Sequence, residues 1–348
     1  QIANFRLRAT DGLILFTLAF FSLLAILFNG RVEGWLLLVL KNVAAAAGYL
    51  FVVYLSQRAS TKFLRFFLRV AAITLTYAYL FGAVDKLQLI LHGRWLDEYV
   101  LDGEQYLFGV QPTLWLQHIT SPGLTEWMMF AYVIYVPMYP VLCGIIYYLH
   151  GDVAMEDYFF TLGFTNILCD IGFILFPVAG PIATIGSLYT VPLNGYVFTY
   201  LGELMRSNLH YIGGTIPSPH AAAATIMWMM AYRYHRLSFY VLAPVVLSLY
   251  ASTFYARYHY VTDAVVGVAV AFLALAIAPF LIKGWERIAE KRSEATPIRT
   301  SIASADGMTS TEEISLTLAT SPSVTVNPTA RSSRSAGVAS ITTCGMLW

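Results

Sequence analysis

The chain has 348 residues, of which 58% are hydrophobic and 12% are charged; the mean hydropathy is +0.64 and the formal net charge is +1. So few charges exclude an ordinary soluble domain, in which about 25% of residues are charged. The near-neutral balance, with no basic stripe, excludes a nucleic-acid-binding protein. We therefore predict an all-α polytopic membrane bundle, because backbone polar groups in lipid must be satisfied within each helix.

Apolar runs of about 20 residues, the length that crosses about 30 Å of hydrocarbon, follow one another along the chain. We predict about eight transmembrane helices, at residues 11–29, 34–55, 68–91, 124–149, 157–178, 220–235, 238–256 and 260–283. The third run is interrupted by Asp85 and Lys86, and the sixth is short.

The stretches outside these spans differ in composition. Residues 92–123 mix aromatic and polar side chains, which is typical of a helix lying in the headgroup region. After the last span Ser, Thr, Ala and Gly dominate, which predicts a disordered tail. We divide the chain into N-terminal transmembrane helices (1–91), an extracytoplasmic interfacial segment (92–123), a transmembrane core (124–283) and a cytoplasmic tail (284–348).

Lys and Arg in short loops mark the cytoplasmic side of a membrane protein. They precede the first predicted span and follow the second, sixth and eighth, at Arg6, Arg8, Arg58, Lys62, Arg65, Arg69, Arg233, Arg236, Lys283, Arg287, Lys291 and Arg292. Arg31 and Arg94 fall on the other side but are fewer. We therefore predict cytoplasmic termini, with residues 92–123, 179–219 and 256–259 facing the exoplasm or an organelle lumen.

The sequence Pro217-Ser218-Pro219-His220 comes directly before the sixth span. Ser218 followed by proline is typical of a helix start, with serine as the N-cap and proline in the first turn. His220 then places an ionisable ring beside the unpaired backbone amides of a helix N-terminus, where an anion is favoured. A plain helix start without any function also explains the Ser-Pro pair.

The sequence Arg257-Tyr258-His259-Tyr260-Val261-Thr262-Asp263 repeats this arrangement at the start of the eighth span. His259 and Asp263 are four residues apart, so they share a helix face, and the carboxylate can hold the imidazole in one tautomer. Arg257 offers a planar guanidinium that suits phosphate oxygens. The alternative is a tyrosine-rich interfacial belt in which Arg257 only extends toward the headgroups.

The chain contains Pro-Ser-x-His, a connecting span and then Ser252, His259 and Asp263. This series resembles the second and third motifs of the type 2 phosphatidic acid phosphatase superfamily. Residues 109–116 and 176–181 resemble segments of the branch that includes the fungal inositol phosphorylceramide synthases. This resemblance covers roughly residues 100–275 and implies a six-helix phosphatase-like core inside the bundle.

The resemblance implies phosphoryl transfer through a phosphohistidine, without a metal or other cofactor. His259 would attack phosphorus, Asp263 would orient His259, and His220 would protonate the departing oxygen and later activate the acceptor. Ser218 and Ser252 would bind phosphate oxygens.

The basic residues depart from the superfamily pattern. Thr253 stands where an arginine usually follows the serine of the third motif, and no basic residue lies near Pro177. We expect Arg257, one helical turn later, to supply the charge, with Arg206 or Arg94 completing it.

Two further residues are candidates for the substrate site. Asp170 lies within the fifth span, with Asn166 one turn before it, and buried carboxylates in lipid often have a function. Asp170 either forms the floor of a headgroup pocket or makes a structural hydrogen bond to a neighbouring helix. His210 lies in the outer loop near Arg206 and is either solvated or in contact with substrate.

The resulting hypothesis is an enzyme, a membrane lipid phosphotransferase acting at the extracytoplasmic face. Its partners would be a phospholipid or sphingolipid and a hydroxyl acceptor, and no nucleic acid. A lipid phosphate phosphatase, with water as acceptor, is the closest alternative. A non-catalytic lipid-binding membrane protein is the second alternative.

Overall fold

The computed structural model describes residues 5–209 and 211–305, and every regular element in them is helical. The helices are α1 (Ala9–Leu27), α2 (Trp35–Arg58), α3 (Lys62–Val84), α4 (Asp97–Phe108), α5 (Pro112–Trp115), α6 (Pro122–Leu175), α7 (Pro181–Ile185), α8 (Val197–Leu209), α9 (Pro219–Tyr234), α10 (Arg236–Tyr255) and α11 (Val261–Ala305). Short 3₁₀ turns lie at Asp85–Leu87, Leu116–Ile119 and Gly186–Leu188.

Six of the described helices are long and apolar enough to cross a membrane, namely α1, α2, α3 with its 3₁₀ turn, α6, α10 and α11. The 54 residues of α6 are two arms joined at Gly151, whose φ of 76° is readily adopted only by glycine. Each arm exceeds the roughly 20 residues that cross a bilayer. The predicted polytopic helical bundle is confirmed, and the arms of α6 correspond to the predicted fourth and fifth spans.

The third predicted span lies closer to the N-terminus than expected. Helix α3 covers Lys62–Val84, whereas the prediction placed the span at 68–91. Asp85 and Lys86 belong to the 3₁₀ turn that follows the helix, not to its interior. A buried charged pair would be costly in lipid, so the helix ends where these two residues begin.

Helix α9 has 16 residues and lies at the centre of the bundle, packed against α6 and α10. The four alanines at 221–224 are fully buried. Small side chains let helices in a membrane approach until their backbones are in contact. Gly267 of α11 allows such an approach to α9, since a Cβ there would lie 2.5 Å from the carbonyl oxygen of Ser218. The start of α9 is therefore held directly against α11.

A buried ion cluster fastens α1 and α3 to the second arm of α6. The Arg69 guanidinium pairs with the carboxylates of Asp11 and Glu156, and its Nε lies 2.8 Å from Glu156. The Tyr49 hydroxyl donates to Asp11 over 2.5 Å. Arg69 lies within α3, as the predicted third span at 68–91 implied, and its charge is neutralised by these partners.

Outside the spans, α4 is tied to α7 and to the start of α11 by one carboxylate. Asp97 accepts hydrogen bonds from the backbone amides of Ala179 and Gly180, at 2.8 and 2.9 Å. It also accepts from the hydroxyls of Thr184 and Tyr260, at 2.7 and 3.0 Å. The segment that was predicted to be interfacial is thus fixed over the N-terminus of α11.

The last helix runs past the predicted start of the tail. Helix α11 continues to Ala305, so residues 284–305 are helical where disorder was predicted, because Ala, Glu, Lys and Arg favour helix in that stretch. The chain divides into two compact units at 294/295, and the site described below belongs to the first. The rest of the predicted tail, 306–348, lies outside the described residues.

Candidate active site

His259 lies in the tight connection between α10 and α11. The backbone amides of Tyr258 and His259 both donate to the carbonyl of Thr253 over 3.1 Å, which closes the C-terminus of α10. Arg257 adopts a φ of 67°, a left-handed conformation that costs a non-glycine residue about 1–3 kcal/mol. This sharp turn directs His259 into the protein, where its side chain is only 3% exposed.

The two partners of His259 Nδ1 determine which nitrogen of the ring carries the proton. Nδ1 lies 3.0 Å from the carbonyl oxygen of Thr215 and 3.4 Å from Oδ2 of Asp263. A carbonyl and a carboxylate can only accept, so Nδ1 is the donor. In the neutral ring Nε2 therefore keeps its lone pair.

Asp263 bonds to the backbone of both histidine motifs and caps its own helix, α11. Its Oδ2 accepts from the backbone amide of Tyr260 over 2.9 Å, which caps the first turn of α11. Its backbone carbonyl accepts from the amide of Ser218 over 2.9 Å. The side chain is fully buried, and Oδ1 has no hydrogen-bond partner in the described part of the chain.

His220 lies directly opposite the lone pair of His259. Its Nδ1 is 3.3 Å from Nε2 of His259, and the two ring centroids are 5.5 Å apart. The His220 ring also packs on Tyr132, at 4.8 Å between centroids, and on Tyr135, at 5.1 Å. These aromatic neighbours set the plane of the His220 ring.

Ser218 starts α9 in the way the sequence predicted. Its hydroxyl accepts from the backbone amide of Ala221 over 3.3 Å, and Pro219 occupies the first helical position. Because the Ser218 amide bonds to Asp263, the N-termini of α9 and α11 converge beside the two histidines. Two converging helix N-termini favour a bound anion.

A model of the PAP2 superfamily matches residues 101–277, just over half of the chain, and this region includes both histidine motifs. The chain belongs to the PAP2 superfamily. It is therefore a phosphatase or phosphotransferase that acts on a lipid phosphate, with water or another acceptor. No curated protein and no solved structure matches the chain.

Three of the predicted substrate-binding residues of this PAP2 protein have hydrogen-bond or ion-pair partners within the chain. The Ser252 hydroxyl is fully buried and donates to the carbonyl of Leu249 within α10, over 2.8 Å. Arg206 pairs with Glu203 on α8. Arg257 donates to the carbonyl of Val191 in the outer loop, over 2.5 Å. The Ser252 hydroxyl thus donates within its own helix, and its predicted contact with phosphate stays a prediction.

The environment of Arg257 differs from that of Arg206. The Arg257 guanidinium lies 4.2 Å from the centroid of the Tyr189 ring, and no carboxylate pairs with it among the described residues. Its burial lowers its pKa from the ordinary value. Glu203, in contrast, raises the pKa of Arg206. Arg257 is thus a partly desolvated cation that no carboxylate neutralises among the described residues.

Arg94, the other cation that we expected to complete the charge, pairs with Glu98 on α4 over 2.5 Å. The remaining candidate in the outer loop, His210, lies outside the described residues.

Asp170 lines a cavity of about 270 Å³ that reaches His220. The cavity lies between α3, the two arms of α6 and the start of α9. The side chain is 4% exposed and lies on the same face of α6 as Asn166, one turn earlier. The structure therefore places this predicted residue in a cavity that His220 also lines.

Three contacts of the site were not foreseen from the sequence. They involve the Thr215 carbonyl, Asp97 and Glu104. Glu104 of α4 accepts from the amide and the hydroxyl of Thr262, at 2.8 and 3.0 Å. Glu104 is fully buried, and its burial raises the pKa of the carboxyl. The spacing of seven between Asp97 and Glu104 puts them on one face of α4, which is the only sequence signal that pointed to them.

Proposed function

We propose that this PAP2 protein is a lipid phosphotransferase that resembles inositol phosphorylceramide synthases and forms a phosphohistidine on His259. One observation carries the proposal. The Nε2 lone pair of His259 is buried and lies 3.3 Å from a second imidazole, that of His220. A neutral nucleophile beside a group that can hold or release a proton is the arrangement that a two-step transfer requires.

In the first step, Nε2 of His259 attacks the phosphorus of the lipid phosphate, and the P–O bond to the lipid alcohol breaks. His220, protonated, donates its proton to the departing oxygen. The Nδ1 proton of His259 stays on its ring, where the Thr215 carbonyl and the Asp263 carboxylate stabilise the positive charge that develops.

In the second step, the acceptor hydroxyl attacks phosphorus and gives its proton to His220. The P–N bond breaks, and its electron pair returns to Nε2 of His259. His220 is then protonated again and ready for another lipid phosphate. With water as acceptor the same steps describe a phosphatase.

The 3.3 Å contact between His220 and His259 is too short to admit a phosphoryl group between the rings. Substrate binding must therefore separate them. The phosphate would lie at the N-termini of α9 and α11, within reach of the Ser218 hydroxyl. Arg257, which no carboxylate of the described residues pairs with, would neutralise the phosphate from the outer side. Arg206 would add its guanidinium charge from α8, where it is now paired with Glu203.

The cavity beside His220 provides a place for an organic molecule next to the proposed acid–base group. Its volume of about 270 Å³ is close to the lower end of small-molecule sites. The prediction that the site faces the exoplasm or an organelle lumen stays part of this proposal.

The test uses the purified protein in detergent with a ³²P-labelled lipid phosphate. We expect label to appear in a new lipid only when a hydroxyl acceptor is added. We also expect His259→Ala to abolish the reaction, whereas His118→Ala, a matched control in the exposed outer segment, keeps it. Release of inorganic phosphate that no acceptor can divert would instead identify a phosphatase. Activity that survives His259→Ala would overturn the proposed nucleophile.

The role of His220 can be separated from that of His259. p-Nitrophenyl phosphate has a leaving group that departs without a proton, so its first step does not depend on a general acid. We expect His220→Ala to slow cleavage of the lipid phosphate at least about 100-fold more than cleavage of p-nitrophenyl phosphate. Equal losses with the two substrates would show that His220 is not the acid.

A further inference from the structure

Gln88 connects the N-terminal helices to the loop that precedes α9. It follows the 3₁₀ turn after α3, lies outside the PAP2 region at 101–277, and is only 1% exposed. Its Oε1 accepts from the backbone amide of Gly214 over 2.6 Å, and its Nε2 donates to the carbonyl of Ile212 over 3.2 Å. A backbone amide can only donate and a carbonyl can only accept, so these two bonds fix the orientation of the Gln88 amide.

The loop needs such an anchor because two consecutive glycines lie in it. Gly213 and Gly214 have φ values of 100° and 64°, which glycine adopts readily. A glycine pair also has many other backbone conformations of similar energy. The glycine at 213 leaves space for Gln88, since a Cβ there would lie 2.2 Å from Gln88 Oε1. The bonds of Gln88 therefore hold the loop in one of its possible conformations.

Thr215, the next residue of this loop, contacts the proposed nucleophile. Its carbonyl oxygen lies 3.0 Å from Nδ1 of His259 and accepts the proton of that nitrogen. Its hydroxyl donates to the carbonyl of Val178 over 2.9 Å, while the adjacent Gly214 amide donates to Gln88. The carbonyl that faces His259 is therefore held by two separate segments of the chain, and one of them precedes the PAP2 region.

We propose that Gln88 is a positioning residue, which holds the Thr215 carbonyl where it keeps the proton of the neutral His259 ring on Nδ1. The inference rests on the proposed function, in which the lone pair of Nε2 attacks phosphorus. In the other tautomer Nε2 carries the proton and cannot attack. Loss of the two bonds of Gln88 should therefore slow the chemical step and leave lipid binding nearly unchanged.

The test measures kcat and KM for transfer from a ³²P-labelled lipid phosphate. Gln88→Met keeps the length of the side chain and removes both hydrogen bonds. We expect kcat to fall about 10- to 100-fold, the loss that a displacement of about 1 Å at a catalytic group causes, with KM changed less than about threefold. Gln57→Met is the matched control, because Gln57 also accepts from a backbone amide and donates to a carbonyl, both of Arg6. This control should keep the wild-type kcat.

Two other variants keep the test decisive if Gln88→Met does not fold. Gln88→Glu retains an oxygen that accepts from the Gly214 amide, whether ionised or protonated. Gln88→Asn stays polar but is shorter by one carbon–carbon bond, about 1.5 Å, so it cannot reach that amide. The kcat of Gln88→Asn should therefore fall as in Gln88→Met, and that of Gln88→Glu should be higher. Wild-type kcat in a folded Gln88→Asn protein would overturn the inference.

A spectroscopic measurement reports the tautomer without turnover. In ¹⁵N NMR of protein labelled at histidine, a protonated ring nitrogen differs from one with a lone pair, and His259→Ala identifies the signals of His259. We expect Nδ1–H alone for the neutral ring in the wild type and both tautomers in Gln88→Asn. An unchanged tautomer in Gln88→Asn would overturn the inference. Failure of the proposed function looks different, since the wild type would transfer no ³²P label although the tautomer still depends on Gln88.

Discussion

Asp263→Asn tests how the nucleophile is held in its reactive form. In many triads the acid alone fixes the tautomer of the histidine, and its amide variant then costs about 10⁴-fold in rate. In this protein the Thr215 carbonyl is the closer partner of His259 Nδ1, at 3.0 Å against 3.4 Å for Asp263. The asparagine variant should therefore keep the tautomer and lose only the negative charge.

The expected loss in rate is the part that depends on the negative charge of Asp263. A hydrogen bond to a charged group contributes about 1.5–3 kcal/mol, which corresponds to about 10- to 150-fold in kcat. The asparagine oxygen can still accept from the amide of Tyr260, and in the wild type no group of residues 5–209 or 211–305 bonds to Oδ1. Folding should therefore be preserved, which thermal melting in detergent can show.

The assay is the transfer rate at saturating lipid phosphate, with Asp157→Asn as the matched control. A loss of about 10⁴-fold in a folded Asp263→Asn protein would show that Asp263, and not the Thr215 carbonyl, sets the tautomer. A rate within twofold of the wild type would show that the charge of Asp263 has no catalytic role.

Three further predictions concern the surroundings of the histidines. Burial raises the pKa of Glu104 above its ordinary 4.5. The folded wild type therefore becomes less stable as pH rises from about 4.5 through that raised value. Glu104→Gln does not titrate, so its melting temperature relative to the wild type should increase over the same pH window; a constant difference in melting temperature would contradict this. Ser218→Ala removes an N-cap and should lower the free energy of unfolding by about 1 kcal/mol, which denaturant titration measures. Gly267→Ala brings a Cβ within 2.5 Å of the Ser218 backbone and should reduce the transfer rate by up to about 100-fold, whereas Gly284→Ala, with open space around it, should not; equal rates would refute the close contact.

The parts of the fold that depend on local sequence were predictable. Helix α9 starts at Ser218 because a serine N-cap and a following proline act within one turn. His259 and Asp263 lie together because their spacing is one helical turn. The membrane bundle followed from apolar runs, whose lengths are set by the bilayer.

The parts that depend on distant contacts were not predictable. The partner of His259 at Thr215 is a backbone carbonyl, which any residue type could supply. Asp97 and Glu104 act on residues more than 80 positions away, and nothing in α4 specifies those partners. The bond of Arg257 to the carbonyl of Val191 is another such contact, since the left-handed backbone at Arg257 directs the guanidinium to the outer loop.

The central claim is that His259 becomes phosphorylated, and trapping the phosphoenzyme tests it most directly. The purified protein is mixed with ³²P-labelled lipid phosphate without an acceptor, quenched in alkali and digested. The account predicts an alkali-stable, acid-labile label on the peptide that contains His259, which disappears when an acceptor alcohol is added before the quench and never forms in His259→Ala. Full transfer activity without a labelled His259, or label on another residue, would contradict it.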